Sequence, residues 1–294
     1  LYTSGSTGHP KGVPHKHADL LTPRAALGPA IFGVKPEAVC DEIFLSTSSL
    51  SFSYGLMAQI GLGLAGGATV ILHAGPVLAG QIVESIALHR PTVLFSVPTT
   101  YDALLRTMSA VSDVSSLRCC VSSGEAMPEG LHAAWRQRTG VAVIEVLGST
   151  ETFTSFMFTR PDQDAPGSLG SPTPGFEVRL VDDAGQDVND GAIGRLLVKG
   201  PGLATAYWRR PDRSREVMRA DGWLETGDLC LQEQGKLRHM GRSDDLIRTG
   251  GQWVTPFQVE NRLREHPAVA DCAVGPCQVR GLTYLCAYIV PVET

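Results

Sequence analysis

Short β-rich runs alternate with helical patterns between residues 69 and 146, and this alternation constrains the fold more than any other feature of the sequence. The predicted strands are 69–72, 92–96, 118–121 and 141–146, and the predicted helices between them are 81–89, 98–108 and 128–138. Strands separated by helices pair in parallel, and the helices then cover both faces of the sheet. The predicted fold class is therefore α/β, with a parallel sheet layered with helices.

The pattern changes after Asp162. Short strands are predicted at 176–181, 194–198 and 235–240, followed by a helix at 256–265 and strands at 269–274 and 282–290. The first group favours a small β-barrel-like subdomain, and the second favours the start of an α+β C-terminal domain. The predicted domains are an α/β subdomain at 1–165, a β-rich subdomain at 166–243 and a C-terminal domain that begins at 244 and runs to 294.

Charge and cysteine content narrow the functional classes. The net charge is −5 and no Lys/Arg block occurs, which argues against a nucleic acid or an anionic membrane as the main partner. The seven cysteines form no Cys-x-x-Cys pair, so we expect buried, reduced thiols and a cytoplasmic protein. These cysteines are Cys40, Cys119, Cys120, Cys230, Cys272, Cys277 and Cys286.

The first motif is a loop rich in glycine and hydroxyl side chains near the start of the chain. Its candidate phosphate-binding residues are Thr3, Ser4, Gly5, Ser6, Thr7, Gly8 and Lys11. Glycines allow backbone N–H groups to approach a polyanion, hydroxyls donate to phosphate oxygens, and Lys11 adds a mobile positive charge. The loop differs from the Gly-x4-Gly-Lys-Ser/Thr type because Pro10 precedes the lysine and Gly12 follows it. A flexible surface loop is the alternative interpretation.

The second motif, Gly148-Ser149-Thr150-Glu151, follows a predicted strand directly. Ligands of open α/β sheets bind at the carboxyl ends of strands. Thr150 is then placed to bond a phosphate oxygen, and Glu151 to hold Mg²⁺, a hard cation that prefers oxygen ligands. A simple helix start is the alternative.

Two further motifs lie later in the chain. Asp228, in Glu-Thr-Gly-Asp, can accept bonds from both ribose hydroxyls, although a turn aspartate is an equally good interpretation. Arg242, in Gly-Arg-Ser-Asp-Asp, could reach a nucleotide or belong to a solvated linker. Gly250 and Gly251 beside a tryptophan indicate a backbone that something approaches closely.

In this order and spacing the four motifs resemble the adenylate-forming superfamily, and within it the benzoate-CoA ligases, over essentially the whole chain. The supporting strings are Ser53-Tyr54-Gly55-Leu56, Ser122-Ser123-Gly124-Glu125-Ala126, Gly241-Arg242-Ser243-Asp244-Asp245 and Trp253-Val254-Thr255-Pro256-Phe257. The resemblance implies activation of an aromatic acid by ATP to an acyl-AMP, followed by transfer to the thiol of CoA.

The resemblance also implies residue roles. For ATP, it implies that the opening loop contacts the β- and γ-phosphates, and that Gly124, Glu125 and Ala126 form the adenine wall. Lys11, Thr150 and Glu151 would be catalytic, and Glu151 would also be the ligand of Mg²⁺. Asp228 and Arg242 would contact the ribose. The other roles are an acid pocket of Tyr54, Val146, Leu147 and Gly148, a hinge at Asp244 and a CoA channel at Gly250 and Gly251.

Several points stay open at this level. The acceptor could be a carrier protein instead of CoA, or the chain could be a non-catalytic nucleotide-binding relative. Thr154 and Ser155 stand where benzoate-type relatives tend to carry a histidine, so a substituted benzoate or heteroaromatic acid fits as well as benzoate. We interpret the chain as an internal fragment, because it starts on a motif and its last lysine, Lys236, precedes the family's C-terminal lysine. We therefore expect these 294 residues alone to adenylate poorly.

Overall fold

The computed structural model describes residues 1–3, 9–33, 39–75, 77–165, 167–250 and 252–292. The predicted site residues that lie outside these ranges are Ser4, Gly5, Ser6, Thr7, Gly8 and Gly251. The α-helices of the described residues are α1 (Thr22–Phe32), α2 (Ser53–Leu56), α3 (Ala79–His89), α4 (Pro98–Thr107), α5 (Glu129–Thr139), α6 (Pro211–Val217) and α7 (Pro256–Arg264). A π-helix spans Met57–Gly63, and 3₁₀ helices span His17–Leu21, Leu64–Gly66 and Ser243–Asp245.

The strands up to the β-rich region are β1 (Tyr2–Thr3), β2 (Lys11–Gly12), β3 (Ile43–Ser46), β4 (Thr69–Ile71), β5 (Val93–Ser96), β6 (Cys119–Ser122), β7 (Val143–Gly148), β8 (Ser155–Phe158) and β9 (Ser171–Pro172). The remaining strands are β10 (Glu177–Val181), β11 (Ile193–Lys199), β12 (Leu224–Glu233), β13 (Lys236–Arg242), β14 (Ile247–Thr249), β15 (Gln252–Val254), β16 (Val269–Val279) and β17 (Leu282–Pro291).

The chain divides into two compact units. The first comprises Leu1–Val178 and Val198–Leu224, and the second comprises Arg179–Leu197 and Glu225–Thr294. The chain therefore passes between the units three times, and each unit is described by itself below. The three sequence-based domains stay a prediction.

A seven-stranded sheet forms the centre of the first unit, in the order β4-β3-β5-β6-β7-β8-β9. Neighbouring strands from β4 to β7 pair in parallel, and β8 and β9 extend the sheet antiparallel. The predicted α/β class with a parallel sheet is confirmed. Alternation of strand and helix therefore predicts the parallel pairing of β4 to β7.

Two apolar cores cover the two faces of this sheet. One contains Leu27 of α1, Phe44 of β3 and Met57 of the π-helix. The other contains residues of α3, α4 and α5, with the Trp135 and Tyr101 rings edge to face at 4.6 Å between centroids. Core residues of both clusters are almost fully buried, so the sheet holds its strand ends in fixed positions.

Predicted helix and strand bounds in the alternating region lie within three residues of those observed. The sequence interpretation missed α1 and the π-helix, and Gly61 and Gly63 interrupt the apolar run in which the π-helix lies. In the structure these glycines permit close packing. A Cβ on Gly61 would lie 2.9 Å from the Leu20 carbonyl oxygen, and one on Gly63 would lie 2.8 Å from Val70 Cγ2.

The second unit is built on a four-stranded sheet in the order β10-β11-β12-β13. This sheet lies in the region 166–243, for which the sequence predicted a β-barrel-like subdomain. The β14–β15 and β16–β17 pairs are antiparallel, and α7 packs on β16. Glu260 of α7 accepts a bond from the Val274 backbone N–H at 2.8 Å. This region is α+β, as expected.

One cysteine prediction is wrong. Cys277 and Cys286 form a disulfide, with 5.8 Å between their Cα atoms. Cys277 lies opposite Tyr284 and Cys286 lies opposite Gly275, so the two cysteines are diagonal neighbours across the β16–β17 pair. Strand register, which spacing alone does not reveal, brings them together. In the described part of the chain, no helix is both long and apolar enough to cross a membrane.

Candidate active site

A cavity of about 1,020 Å³ opens in the first unit at the carboxyl ends of the parallel strands. Each strand from β4 to β7 ends at or just before a residue that lines it. These residues are Leu72, Ser46, Val97, Ser123 and Gly148. Ligands of open α/β folds bind at this edge of the sheet. The cavity is therefore the leading candidate for a ligand site in the described residues.

Tyr54 of α2 forms part of the cavity wall. Its hydroxyl lies 3.2 Å from the Ser96 carbonyl oxygen and 3.1 Å from that of Val121, and donates to them. Burial is the main cause that raises the Tyr54 pKa well above its usual value, with the Cys119 thiol adding to it. The phenol therefore stays neutral and bonded to the backbone, so Tyr54 offers the cavity an aromatic ring.

The three residues predicted for the acid pocket from strand β7 differ in position. Gly148 lines the cavity, and a Cβ there would lie 2.8 Å from the Thr154 carbonyl oxygen. Val146 and Leu147 are not among the residues that line it. Val146 is 6% exposed and packs in the core with Phe158, because only the end of the strand reaches the cavity.

The loop after β7 is fastened by Thr152, which sequence reasoning missed. The Ser149 backbone N–H donates to Thr152 Oγ1 at 3.0 Å, and this hydroxyl donates to the Thr154 carbonyl at 2.6 Å. Thr152 is fully buried. Phe153 has φ +58°, a left-handed conformation that costs a non-glycine residue about 1–2 kcal/mol. The Thr152 bonds hold this strained turn, and the only sequence signal was the density of hydroxyl residues.

Thr150 lines the cavity beside two partners that the sequence did not identify. The Ser53 and Thr150 hydroxyl oxygens lie 3.3 Å apart. His15 Nε2 lies 2.8 Å from the Thr150 carbonyl oxygen, and His15 Nδ1 lies 3.4 Å from an Asp19 carboxylate oxygen. The backbone of the motif is thus anchored to the segment before α1, which leaves the Thr150 hydroxyl at the cavity surface.

Glu151 and Lys11, predicted from motifs 140 positions apart, meet at one side chain. The Tyr207 hydroxyl donates to Glu151 Oε1 at 2.6 Å. The Lys11 ammonium nitrogen lies 4.6 Å from the centroid of the same ring. Tyr207 was not predicted from the sequence, because its segment carries no motif that points to the site.

The ends of the opening loop are also fixed. Thr3 of β1 pairs with Lys11 of β2 in an antiparallel register. In the described residues the Thr3 hydroxyl is buried and has no hydrogen-bond partner. Such a hydroxyl is costly to leave unpaired, so it is a candidate ligand contact.

The predicted adenine wall follows β6. Gly124, Glu125 and Ala126 are all exposed, and Gly124 also lines the cavity. Gly124 has φ +91°, a value that favours glycine and turns the chain away from the sheet. Glu125 and Ala126 do not line the cavity.

In the second unit, Asp228 and Arg242 lie directly opposite each other on β12 and β13. An Asp228 carboxylate oxygen lies 3.2 Å from His239 Nε2 and 3.5 Å from an Arg242 guanidinium nitrogen. Asp228 is 7% exposed, whereas Arg242 is exposed. Gly227 has φ +80°, and a Cβ there would lie 2.6 Å from Arg242 Nη2. The positive φ favours glycine at this turn, and the missing side chain leaves room for the guanidinium.

Asp244, the predicted hinge, and Gly250, the described residue of the predicted channel, lie on exposed turns of the same unit. Asp244 is exposed, in the 3₁₀ turn Ser243–Asp245. Gly250 is exposed, has φ +55° and follows β14. The hinge and channel roles of these positions stay predictions.

Known proteins are similar to this chain over most of its length. The sequence model of the family described as AMP-binding enzyme matches residues 1–208. The 3-hydroxybenzoate–CoA ligase of Aromatoleum sp. (strain CIB) is 37% identical over 99% of this chain and 55% of its own length. The benzoate–CoA ligase of Thauera aromatica is 34% identical over 93% of this chain and 52% of its own length.

A solved structure gives the same result. The benzoate CoA ligase from Burkholderia xenovorans LB400 superposes with a TM-score of 0.87 at 32% identity, covering 99% of this chain and 57% of that one. The chain thus spans about half the length of the relatives it matches. The chain belongs to the AMP-binding enzyme family.

Proposed function

We propose that the protein activates an aromatic carboxylic acid with ATP and passes the acyl group to the thiol of CoA. In the first step a carboxylate oxygen attacks the α-phosphorus of ATP and pyrophosphate leaves. In the second step the CoA thiol attacks the acyl carbon and AMP leaves. AMP is a much better leaving group than oxide, which is why the acid is activated first.

The observation that carries the proposal is the cavity at the carboxyl ends of the strands. Its wall combines the Tyr54 and Phe153 side chains with the Thr150 hydroxyl. Its volume of about 1,020 Å³ exceeds the need of a benzoate-sized acid and leaves room for an acyl-adenylate. The relatives named as benzoate– and hydroxybenzoate–CoA ligases support an aromatic acid.

The proposed residue roles follow the motifs. For ATP, Lys11 and the opening loop bind the β- and γ-phosphates, Thr150 the α-phosphate, Gly124, Glu125 and Ala126 the adenine, and Asp228 and Arg242 the ribose. For the acid and CoA, Tyr54 and Gly148 line the pocket, Asp244 is the hinge, and Gly250 and Gly251 line the channel. Positioning two anions and neutralising their charge is the main task of such a site.

Glu151 fits the role of a Mg²⁺ ligand. The described residues contain no group of three or more His, Cys, Asp or Glu that could hold a metal. Mg²⁺ prefers one or two carboxylates together with substrate phosphates over an all-protein cage, so a single carboxylate beside the cavity suits it. When bound, the ion would neutralise phosphate charge. We also propose that the protein acts in the cytoplasm.

The test is the product spectrum of the full-length protein with ATP, Mg²⁺, CoA and an acid. We expect benzoate or hydroxybenzoate to give AMP, pyrophosphate and the aryl-CoA thioester, measured by chromatography and mass spectrometry. Comparable thioester formation with palmitate would contradict the aromatic assignment. Release of ADP in place of AMP would contradict adenylation itself.

The same experiment separates the alternatives. Acyl-AMP without CoA thioester, together with acyl transfer to an added carrier protein, would favour a carrier-loading ligase. ATP binding with no acid-dependent AMP would favour a non-catalytic relative.

A further inference from the structure

Tyr207 contacts both Lys11 and Glu151, and it belongs to neither the opening loop nor the Gly148-Ser149-Thr150-Glu151 motif. The side chain is 4% exposed and packs with Val13 and Ala204. Its hydroxyl donates to Glu151 at 2.6 Å, and its ring face lies 4.6 Å from the Lys11 ammonium. One side chain therefore contacts both an anion and a cation, through different parts of the phenol.

The backbone around Tyr207 is tied to both motifs. The Ala204 N–H donates to the Glu151 carbonyl at 2.8 Å, and the Trp208 N–H donates to the Gly12 carbonyl at 2.8 Å. The Tyr207 N–H donates to Ser214 Oγ at 2.8 Å. The ring is thus held in place before any ligand binds, which is the requirement for a residue that orients others.

A lysine and a glutamate in the same partly buried region attract each other. Opposite charges 4 Å apart near a protein surface gain about 4 kcal/mol of Coulomb energy. A direct pair would turn both side chains away from phosphates and cation. Among the described residues, Lys11 and Glu151 do not form an ion pair, and both contact Tyr207.

We propose that Tyr207 is a positioning residue of the ATP site. Its hydroxyl orients the Glu151 carboxylate for a divalent cation, and its ring face holds the Lys11 ammonium apart from that carboxylate and available to phosphate. This inference rests on the proposed function. A charge-assisted O–H···O⁻ bond and a cation–π contact supply the two attractions.

Tyr207→Phe in the full-length protein tests the hydroxyl, because it keeps the ring. The first measurement is Mn²⁺ affinity in the presence of a non-hydrolysable ATP analogue, from the electron paramagnetic resonance signal of free Mn²⁺. The second is affinity for the analogue without divalent cation, by calorimetry. We expect the Mn²⁺ dissociation constant to rise about three- to tenfold, and the cation-free affinity to change less than twofold.

Tyr101→Phe is the matched control. The Tyr101 hydroxyl is fully buried and bonds the Val121 carbonyl at 3.0 Å, far from both motifs in sequence. We expect this variant to lower the melting temperature and to leave both affinities within twofold of the wild type. Tyr207→Phe values equal to those of Tyr101→Phe would overturn the orienting role of the hydroxyl.

Tyr207→Leu tests the ring. Without an aromatic face Lys11 can pair with Glu151, so we expect the cation-free affinity for the analogue to fall about three- to tenfold below that of Tyr207→Phe. Equal values for the two variants would overturn the role of the ring. A wild-type protein that binds neither analogue nor Mn²⁺ would overturn the proposed function, and this inference with it. A wild type that binds both while all variants behave alike would overturn the inference alone.

Discussion

The two charged clusters proposed to bind ATP are built in opposite ways. In the first unit, Lys11, Glu151 and Tyr207 come from distant parts of the chain, and the two charges do not touch. In the second unit, Asp228 and Arg242 face each other across one pair of adjacent strands, and their charges lie 3.5 Å apart. One cluster depends on the whole α/β unit, whereas the other needs only the β12–β13 pair.

This difference indicates how each cluster would respond to ligand. Among the described residues neither of the charges beside Tyr207 forms an ion pair, so both are available to a new partner. The Asp228 carboxylate already has His239 and Arg242 as partners. A ribose would therefore exchange one set of hydrogen bonds for another, and the net gain would be smaller.

The largest effect is expected for Glu151→Gln, which removes a charge and keeps the size. Acid-dependent AMP formation should fall by about 10²- to 10³-fold, the usual cost of removing a group that stabilises transition-state charge. Glu216→Gln, which affects an exposed ion pair with Arg213, is the control and should retain wild-type activity. If Glu151→Gln lowered acid-dependent AMP formation less than threefold, the two clusters would not differ in their response to ligand as described above.

Asp228→Asn should have the second largest effect. It weakens two charge-assisted contacts and an acceptor for ribose, each worth about 1.5–3 kcal/mol, so affinity for ATP should fall about 10- to 100-fold. The control is Asp187→Asn, since Asp187 also pairs with an arginine of the second unit but is largely exposed. Calorimetric affinity equal to that of the control would show that the pair is structural only.

Thr152→Val should mainly change stability. It leaves the Ser149 N–H and the Thr154 carbonyl without their partner, which costs about 1–3 kcal/mol of unfolding free energy. Thr107→Val removes an exposed hydroxyl bonded to Ala103 within α4 and should cost far less. Denaturant unfolding curves compare the two. Equal midpoints would mean that Thr152 does not hold the strained turn.

The smallest effect should be alkylation of buried thiols at pH 8. Burial raises the Cys120 pKa to about 12 and places the pKa of Cys119 and Cys230 well above its usual range. A raised pKa keeps these thiols neutral below it, so little thiolate reacts. We expect iodoacetamide to label Cys119, Cys120 and Cys230 only after denaturation, as read by mass spectrometry. Faster labelling of Cys230, on β12, than of Cys119, on β6, would indicate that the Asp228–Arg242 cluster opens more easily than the α/β unit.

Much of the fold and several candidate site residues could be predicted from the sequence, because they depend on local patterns. The strand–helix alternation and the short motifs are local patterns. The alternation predicted the sheet, and the motifs marked Glu151 and Asp228 as site candidates. Val146, which was predicted for the acid pocket, packs in the core with Phe158, because strand end and face decide which side chain reaches the cavity. Thr152 was missed because its role depends on backbone groups of a turn whose shape the sequence does not specify.

The sequence by itself determined the fold class, the family resemblance and the cluster of Asp228 with Arg242, because each depends on periodicity or on residues close along the chain. Only the tertiary structure decided that Tyr207 joins Lys11 to Glu151, that strand ends form one cavity, and that Cys277 bonds Cys286. These contacts join elements whose separation in sequence carries no record of their separation in space. Packing of the sheet and its layers sets that distance.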